Sequence, residues 1–280
     1  QLYRSASAID PLFLTACSGK QIFTWETSTR QLINNRESHQ RIWSLAWYKS
    51  YLIEGGNNSG LIHLRYWNPL SSLNVEHGKI FKTLKGHSDT VKTLLVDELT
   101  DELLSCSEDN TIRLWDLVTG QEIRQYTMER DSSSLVYMLC KIHNNMFASI
   151  GDDKIIKFWN KTTGDCFHCI ENVHLGITWH MLYSASQETV ITASLDKTIK
   201  FWKLEFPGDK QTILNYKMVF SMQSPFAEPC GSLTFLDTEQ TNVLVGDLDG
   251  NFFIVNMKTR KTTFQLKEAH AQVVWHFQVA

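Results

Sequence analysis

Short runs of apolar residues recur along the whole chain and are separated by turn-forming residues. Clear examples are the runs at 91–96, 102–105 and 111–115, with turns at Glu-Asp-Asn 108–110 and Val-Thr-Gly 118–120. The runs are rich in Ile, Val, Phe and Trp, which are favoured in strands, and no long helical periodicity interrupts them. The pattern therefore predicts an all-β chain.

A longer period is superimposed on these runs. The segments SEDNTIRLWD at 107–116, GDDKIIKFWN at 151–160 and SLDKTIKFWK at 194–203 share one pattern, with an Asp six residues before a Trp. Weaker copies place Trp25, Trp67 and Val255 at the Trp position, so that successive copies are 42, 48, 44, 43 and 53 residues apart. A His stands 28 residues before the Trp position in three copies, as His39, His87 and His174. Self-similarity at this period predicts repeated four-stranded units.

With these motifs the chain resembles the WD-repeat β-propeller family. The third copy is the best match, with Gly86-His87, then SCSEDNTIRLWD and then Thr119-Gly120. The resemblance implies an all-β propeller of four-stranded antiparallel blades and a structural tetrad of hydrogen-bonded side chains in two blades. These tetrads would comprise His87, Asp109, Trp115 and either Ser105 or Ser107, and His174, Asp196, Trp202 and either Thr192 or Ser194.

We expect one propeller domain over residues 1–280, with repeats at approximately 1–37, 38–84, 85–127, 128–171, 172–215 and 216–267 and a partial repeat at 268–280. The partial repeat fits a seven-bladed parent that continues beyond this piece. It also fits a six-bladed ring in which the last strand pairs with strands around 12–18. Seven blades are the commonest number in the family, so the seven-bladed parent is favoured.

Composition narrows the class of protein. The chain has 27 Lys plus Arg and 30 Asp plus Glu, a formal net charge of −3, which argues against binding to nucleic acid. No apolar run approaches the ~20 residues that a membrane-spanning helix needs. The six cysteines are scattered through apolar runs, as in a reducing compartment. We therefore expect an intracellular protein, cytoplasmic or nuclear.

The reactive residue types have structural explanations. Ser, His and Asp occur together with the same spacing in two repeats, whereas a catalytic triad is needed only once. Cys166 and Cys169 form a single CxxC, too little for zinc, in a predicted strand that would point them to opposite faces. We expect no catalytic residue, no metal and no cofactor. The alternative is a hydrolase-like enzyme with its site in the central channel, for which His180 and His276 are the only obvious candidates.

The expected function is a non-enzymatic scaffold or recognition module that binds a peptide segment or partner subunit on its loops, within a larger assembly. The loops of repeats 3 and 4 are acidic, with Arg130 as the main opposing charge, and those of repeats 5 and 6 are apolar. They predict a partner that carries a basic segment with apolar anchors. The proposed contact residues are Arg41, Trp43, Asp89, Glu108, Asp131, Asp152, Leu175, Leu195, Phe226 and Leu248.

Overall fold

A computed structural model describes residues 3–4, 13–18, 20–26, 31–67, 78–127, 135–143, 145–208 and 212–267. Within these ranges the chain forms only β-strands and turns, and no helix that could cross a membrane is found there. The all-β fold class is confirmed. The chain divides into two compact units, one ending at Val136 and the other beginning at Tyr137.

The first unit contains three sheets. Each sheet consists of four consecutive strands, lettered a to d in chain order, and neighbouring strands in the chain are neighbours in the sheet. Sheet 1 has strands β1 (Tyr3–Arg4), β2 (Phe13–Ser18), β3 (Gln21–Glu26) and β4 (Leu32–Glu37). Sheet 2 has β5 (Ile42–Tyr48), β6 (Tyr51–Gly56), β7 (Ile62–Tyr66) and β8 (Ile80–Leu84). Sheet 3 has β9 (Val91–Asp97), β10 (Glu102–Ser107), β11 (Thr111–Asp116) and β12 (Glu122–Thr127).

The second unit contains three sheets of the same topology. Sheet 4 has strands β13 (Val136–His143), β14 (Met146–Gly151), β15 (Ile156–Asn160) and β16 (Cys166–Ile170). Sheet 5 has β17 (Thr178–Ser184), β18 (Thr189–Ser194), β19 (Thr198–Glu205) and β20 (Asn215–Gln223). Sheet 6 has β21 (Cys230–Phe235), β22 (Asn242–Asp247), β23 (Phe252–Asn256) and β24 (Lys261–Leu266). Six four-stranded antiparallel sheets are consistent with the blades of a WD-repeat β-propeller.

One predicted repeat boundary needs correction. Strand β20 belongs to sheet 5 and runs to Gln223, so the fifth repeat extends past the predicted boundary at residue 215. The connection between strands c and d of this sheet is longer than in sheets 3 and 4, so the predicted boundary falls at the start of strand d. The predicted partial repeat at 268–280 lies outside the described residues, as does the pairing that would separate six blades from seven.

Every sheet has a register shift at the same place, between strands c and d. It falls directly before Trp25, Arg65, Trp115, Trp159, Trp202 and Val255. At such a bulge one extra residue of strand d is left unpaired and the strand bends. The shift aligns the six repeats by geometry, and we call the residue that follows it on strand c the anchor.

The geometric alignment corrects the sequence alignment in the second repeat. Arg65, not Trp67, is the anchor of sheet 2, because Arg65 pairs with Leu52 as Trp115 pairs with Leu103. Trp67 comes two residues later, just beyond the end of β7. It is buried and packs with Ile22 and Leu45. Spacing between tryptophans could not reveal this shift, because the anchor of sheet 2 is an arginine and the nearby Trp67 lies two residues further on.

The core of each unit lies between consecutive sheets. In the first unit Ile53 and Ile62 of sheet 2 pack against Val91 and Leu103 of sheet 3. In the second unit β14 and β18 are buried along their whole length, whereas β20 is exposed over its first four residues. Burial therefore falls from the inner strands of a sheet towards strand d. The loops at the strand ends are held by this core.

A buried ion pair lies within sheet 2. The Arg65 guanidinium pairs with the Glu54 carboxylate, and their side chains are 5% and 0% exposed. Ser38 Oγ donates to Glu54 Oε2 over 2.7 Å and accepts from Arg65 Nη2 over 3.3 Å. Burial raises the pKa of the Glu54 carboxyl, and the pairing with Arg65 and Ser38 offsets only part of that rise. The carboxylate therefore depends on Arg65 for its charge balance.

We expect Arg65→Met to lower the free energy of unfolding by about 3–5 kcal/mol, because it leaves the Glu54 carboxylate buried without its counter-charge. The double variant Glu54→Leu/Arg65→Met should recover most of that loss, since it removes both charges from the interior. Urea denaturation followed by tryptophan fluorescence measures both. A double variant that is no more stable than Arg65→Met would contradict the ion-pair interpretation.

Candidate functional site

Four side chains of sheet 3 form one hydrogen-bonded chain. Trp115 Nε1 donates to Ser105 Oγ over 2.8 Å, Ser105 Oγ lies 2.8 Å from His87 Nε2, and His87 Nδ1 lies 2.9 Å from Asp109 Oδ2. Ser107 takes no part, because its hydroxyl donates to the Asp89 carbonyl oxygen. This chain of hydrogen bonds joins strands b and c to two connecting segments. One is the loop before strand a, called the d–a loop, and the other is the turn between strands b and c, called the b–c turn.

Sheet 5 contains the equivalent chain. Trp202 Nε1 donates to Thr192 Oγ1 over 3.1 Å, Thr192 Oγ1 lies 2.8 Å from His174 Nε2, and His174 Nδ1 lies 3.0 Å from Asp196 Oδ2. The hydroxyl of Ser194 donates instead to the Ile177 carbonyl oxygen. Both sheets thus use the hydroxyl ten residues before the anchor.

A second hydroxyl in each chain was missed from the sequence. Thr111 Oγ1 donates to Asp109 Oδ1 over 2.7 Å and lies 3.1 Å from His87 Nδ1. Thr198 Oγ1 occupies the same position beside Asp196 and His174. The signal that could have found them is the Asp-x-Thr spacing in the third and fifth repeats, since an Asp side chain often bonds two residues onward in a turn.

Burial and hydrogen bonding determine which of the buried groups carry a proton. Burial alone would raise the pKa of Asp109, but hydrogen bonds from His87, Thr111 and the Ser88 amide outweigh it and hold that pKa well below its usual range. Burial lowers the pKa of His174 to about 4, and Asp196 offsets only part of that shift. His174 is therefore neutral at pH 7. Its Nδ1–H donates to the carboxylate, and its Nε2 accepts from the Thr192 hydroxyl.

The arrangement resembles a Ser-His-Asp triad in its distances but not in its chemistry. A catalytic serine must present its oxygen to a substrate. Ser105 is fully buried, and its oxygen already accepts the indole N–H of Trp115. The geometry supports a structural role, in which the chain positions two loops.

Sheets 4 and 6 hold their turns by other means. In sheet 4, Trp159 Nε1 donates to Ser149 Oγ over 2.9 Å, and Lys157 pairs with Asp153 of the b–c turn over 2.9 Å. In sheet 6 the turn depends on Asp247, which is buried and accepts from the Asn251 amide and side chain. The aspartate aligned from the sequence, Asp249, is exposed.

In the first unit, the described contact candidates Arg41, Asp89 and Glu108 lie on hydrogen-bonded loops, and Trp43 lies at the start of strand β5. The Asn57 amide donates to the Arg41 carbonyl oxygen over 2.8 Å, and the Glu108 amide donates to the Thr90 carbonyl oxygen over 3.0 Å. These bonds place the b–c turns beside the neighbouring d–a loops. Arg41 is exposed, whereas Trp43, Asp89 and Glu108 are half-buried.

Lys92 was missed by the sequence analysis and changes the charge of these loops. Its Nζ lies 2.7 Å from Glu108 Oε1 and 3.6 Å from the centre of the Trp43 ring. Glu108 is therefore already paired, and the local field is less acidic than the sequence predicted. Arg130, expected to be the opposing charge, and Asp131 lie outside the described residues. Lys92 lies on strand a of sheet 3, and Trp43 lies on strand a of sheet 2. Residue spacing alone could not predict that these two strands are neighbours.

In the second unit, each b–c turn that carries an apolar candidate is hydrogen-bonded to the d–a loop of its own sheet. The Leu195 amide donates to the Ile177 carbonyl oxygen, and the Leu248 amide donates to the Pro229 carbonyl oxygen. Leu175 is 87% exposed, whereas Leu195, Leu248 and the acidic candidate Asp152 are half-buried. Phe226 is also half-buried and packs edge-on against Phe253 with the ring centres 6.2 Å apart. Phe226 therefore contributes to the core as well as to the loop surface.

The two cysteines of the CxxC do not point to opposite faces, which corrects the sequence prediction. Cys166 Sγ and Cys169 Sγ lie 3.6 Å apart. Trp159 pairs with Cys166 and Phe158 with His168, so Phe167 is the extra residue of the bulge. The bulge shifts the alternation of side chains by one residue, and residues three apart then share a face.

The channel candidate His180 is buried on strand a of sheet 5, and burial lowers its pKa to about 4. Its partner in the alternative enzyme hypothesis, His276, lies outside the described residues. Among the described residues, no group of three or more His, Cys, Asp or Glu side chains is arranged to hold a metal ion.

Comparison with known proteins identifies the class of repeat. Residues 78–116 and 165–203 match the family described as WD domain, G-beta repeat. The chain is 22% identical over 240 residues to the anaphase-promoting complex subunit cdc20 of Dictyostelium discoideum, covering 69% of this chain and 46% of the relative. It is 23% identical over 183 residues to pre-mRNA-processing factor 17 of Homo sapiens, covering 65% and 31%. It is 32% identical over 97 residues to THO complex subunit 6 of Arabidopsis thaliana, covering 34% and 26%.

These matches confirm the resemblance to the WD-repeat family. Each of the two matched segments contains all four residues of one hydrogen-bonded chain. The chain spans less than half the length of each of these three relatives.

Trp115→Ala should destabilise the fold by about 3–5 kcal/mol, as for other buried tryptophans. Trp115→Phe should cost about 1–2 kcal/mol, because it removes the indole donor of Ser105 and keeps most of the ring. Thermal melts measure both. Trp47→Phe is the matched control, since Trp47 Nε1 has no hydrogen-bond partner among the described residues. Melts of both Trp115 variants that overlay the wild-type melt would contradict the structural role.

Stability should fall as the pH drops from about 6.5 to about 4.5. His174 and His180 have folded-state pKa values of about 4, below the unfolded value of about 6.5. The unfolded chain therefore binds protons first, and each histidine should cost about 2–3 kcal/mol across this interval. Stability is complete above pH 6.5.

Urea midpoints between pH 7.5 and 4.5 test this expectation. His174→Asn should make the pH profile less steep, because His180 still contributes, and His39→Gln, at an exposed position, should retain the wild-type slope. A wild-type midpoint that is constant over the interval would show that neither histidine is held neutral.

Proposed function

We propose that the chain is a non-enzymatic protein-interaction module that binds a peptide segment or partner subunit through its d–a loops and b–c turns. The observation that carries the proposal is the fixing of these loops by buried side chains. The Asp109 carboxylate accepts the Ser88 amide, and the Asp196 carboxylate accepts the Leu175 amide, over 3.0 and 2.9 Å. Loops that are ordered before binding lose less entropy on association.

The relatives support this class of function. Two of them are complex subunits by name, an anaphase-promoting complex subunit and a THO complex subunit. We propose by analogy that this chain also works within a larger intracellular assembly, cytoplasmic or nuclear. The analogy extends to the class of role and not to a particular complex.

In the second unit, the loops favour an apolar anchor of the partner. Leu175 is far more exposed than a leucine in a core, and the adjoining turn brings Leu195 to the same loop pair. Asp196 N would lie 2.9 Å from a Cβ at Gly176, so Gly176 lets the d–a loop approach the b–c turn. Apolar anchors in such a setting supply much of the affinity of an interface.

In the first unit, the loops favour a cation of the partner. Asp89 and Glu108 supply carboxylates, and the Trp43 ring already accepts the Lys92 ammonium on its face. An arginine of the partner could stack on the same aromatic surface or bind the carboxylates. Because Lys92 neutralises part of this charge, we expect the basic residues to affect association rate more than affinity. The proposed partner is a basic segment with one or two apolar anchors, rather than nucleic acid.

The alternative function is a hydrolase-like enzyme with its site in the central channel. A general base must reach its substrate and have a pKa near the working pH. His180 is buried with a pKa of about 4, and the triad-like sets have buried hydroxyls that already accept indole N–H groups. These contacts favour binding over catalysis.

The proposal is tested by selecting peptides from a displayed random library with the chain as bait. Enriched peptides should combine Lys or Arg with one or two large apolar residues. Leu175→Ser/Leu195→Ser should weaken their binding by about tenfold or more, and Glu108→Lys should slow association.

Leu99→Ser is the matched control, because Leu99 is as exposed as Leu175, 87%, but lies on an a–b turn at the other strand ends. Asp165→Lys, on a c–d turn, is the charge control. Loss of binding in the controls with normal binding in the loop variants would overturn the placement.

A further inference from the structure

We propose that Cys166 and Cys169 are a redox-active dithiol that forms a reversible intramolecular disulfide by exchange with a small-molecule disulfide of the glutathione type. The proposal is independent of the partner-binding function. It rests on the bulge in β16, which brings the two sulfur atoms to one face of the strand.

The two sulfur atoms are in van der Waals contact. They are 3.6 Å apart, and a disulfide needs about 2.05 Å. Residues three apart on an extended strand have Cα atoms roughly 10 Å apart, more than a disulfide spans, so closure also needs the strand to bend further at the bulge. Strand β16 is the last strand of its sheet, so its outer edge carries no ladder partner within that sheet that would oppose a small adjustment.

Among the cysteines whose side chains the structure describes, these two thiols are the accessible ones. Cys166 and Cys169 are exposed, whereas Cys106 and Cys230 are buried and Cys140 is half-buried. A small disulfide can therefore reach the CxxC without unfolding of the sheet. Reactivity of a cysteine depends on such access as well as on its thiolate.

The exchange proceeds in two balanced steps. The Cys169 thiolate, having lost its proton to solvent, attacks one sulfur of the oxidised small molecule; a mixed disulfide forms and one small thiolate leaves. The Cys166 thiolate then attacks Cys169 Sγ, the protein disulfide forms, and the second small thiolate leaves. Both leaving thiolates take up protons from water. The protein dithiol is oxidised by two electrons and the small disulfide is reduced to two thiols.

The local electrostatics give this order. Desolvation of the sulfur, repulsion by a Cys169 thiolate and the hydrogen bond with Cys169 raise the pKa of Cys166 to about 12, and Lys157 offsets part of the rise. Cys166 is therefore a poor nucleophile as long as the Cys169 thiol stands beside it. Once Cys169 carries the mixed disulfide, its charge and its hydrogen bond no longer oppose ionisation of Cys166, and the second step becomes easier.

The alternative ligand for two close thiolates is a soft metal ion. A structural zinc site needs four ligands, and no cluster of three metal-ligating side chains occurs in the described part of the chain. The pair is therefore assigned to disulfide chemistry.

The test incubates the purified chain in buffers of increasing ratio of oxidised to reduced glutathione, quenches it with acid and maps the peptides by mass spectrometry. We expect the peptide that contains both cysteines to lose two hydrogen atoms, reversibly on addition of reduced glutathione. Cys166→Ser should instead accumulate glutathione on Cys169. A wild-type peptide that stays reduced at every ratio, or that carries glutathione without closing, would overturn the proposal.

A second variant separates proximity from folding. Moving the second thiol back by one residue, in His168→Cys/Cys169→Ser, places it on the opposite face from Cys166, so closure should fall by about tenfold or more. Because the variant replaces a half-buried histidine, a thermal melt and the His168→Ser variant accompany it. If the shifted variant folds and closes its disulfide as readily as wild type, proximity on one face is not the cause and the proposal fails.

Discussion

The fold depends on a pairing between strands b and c. In four sheets, a buried polar atom on strand b must be paired with a donor on the anchor of strand c. Ser105, Ser149 and Thr192 accept hydrogen bonds from Trp115, Trp159 and Trp202, and the Glu54 carboxylate forms an ion pair with Arg65. All four strand-b residues are fully buried. Leaving such an acceptor unpaired costs about 1–3 kcal/mol, more for a charge. In sheet 6 both positions are apolar, with Val245 on strand b and the anchor Val255 on strand c, so no polar atom needs a partner there.

The constraint links the core to the candidate function. Where the strand-b hydroxyl also bonds a histidine, as in sheets 3 and 5, the chain of hydrogen bonds continues to an Asp that holds the d–a loop by its backbone amide. The same buried contacts that stabilise strands b and c therefore fix the loops that we propose for partner binding. This explains how residues with the look of a catalytic triad can serve recognition without chemistry.

Much of the fold could be predicted from the sequence, because spacing reports what repeats. The all-β class and the WD-repeat resemblance followed from the Asp-to-Trp spacing and from apolar alternation. The role of Arg65 could not be predicted, since an Arg–Glu pair satisfies the same requirement with unrelated residue types. The bulge that turns Cys166 toward Cys169 and the position of Lys92 over Trp43 depend on register between strands, which one-dimensional spacing does not contain. The candidate loops were located by their position in the repeat, but their charge balance required the neighbouring strand.

A double-mutant cycle in sheet 4 tests the central constraint most directly, because this sheet has the donor and acceptor without the histidine. Ser149→Ala, Trp159→Phe and the double variant are compared with wild type by urea denaturation. Each single variant should lose stability, and the double variant should lose less than the sum, with a coupling of about 1 kcal/mol or more. Losses that simply add would show that Trp159 and Ser149 stabilise the sheet independently, and would contradict the account.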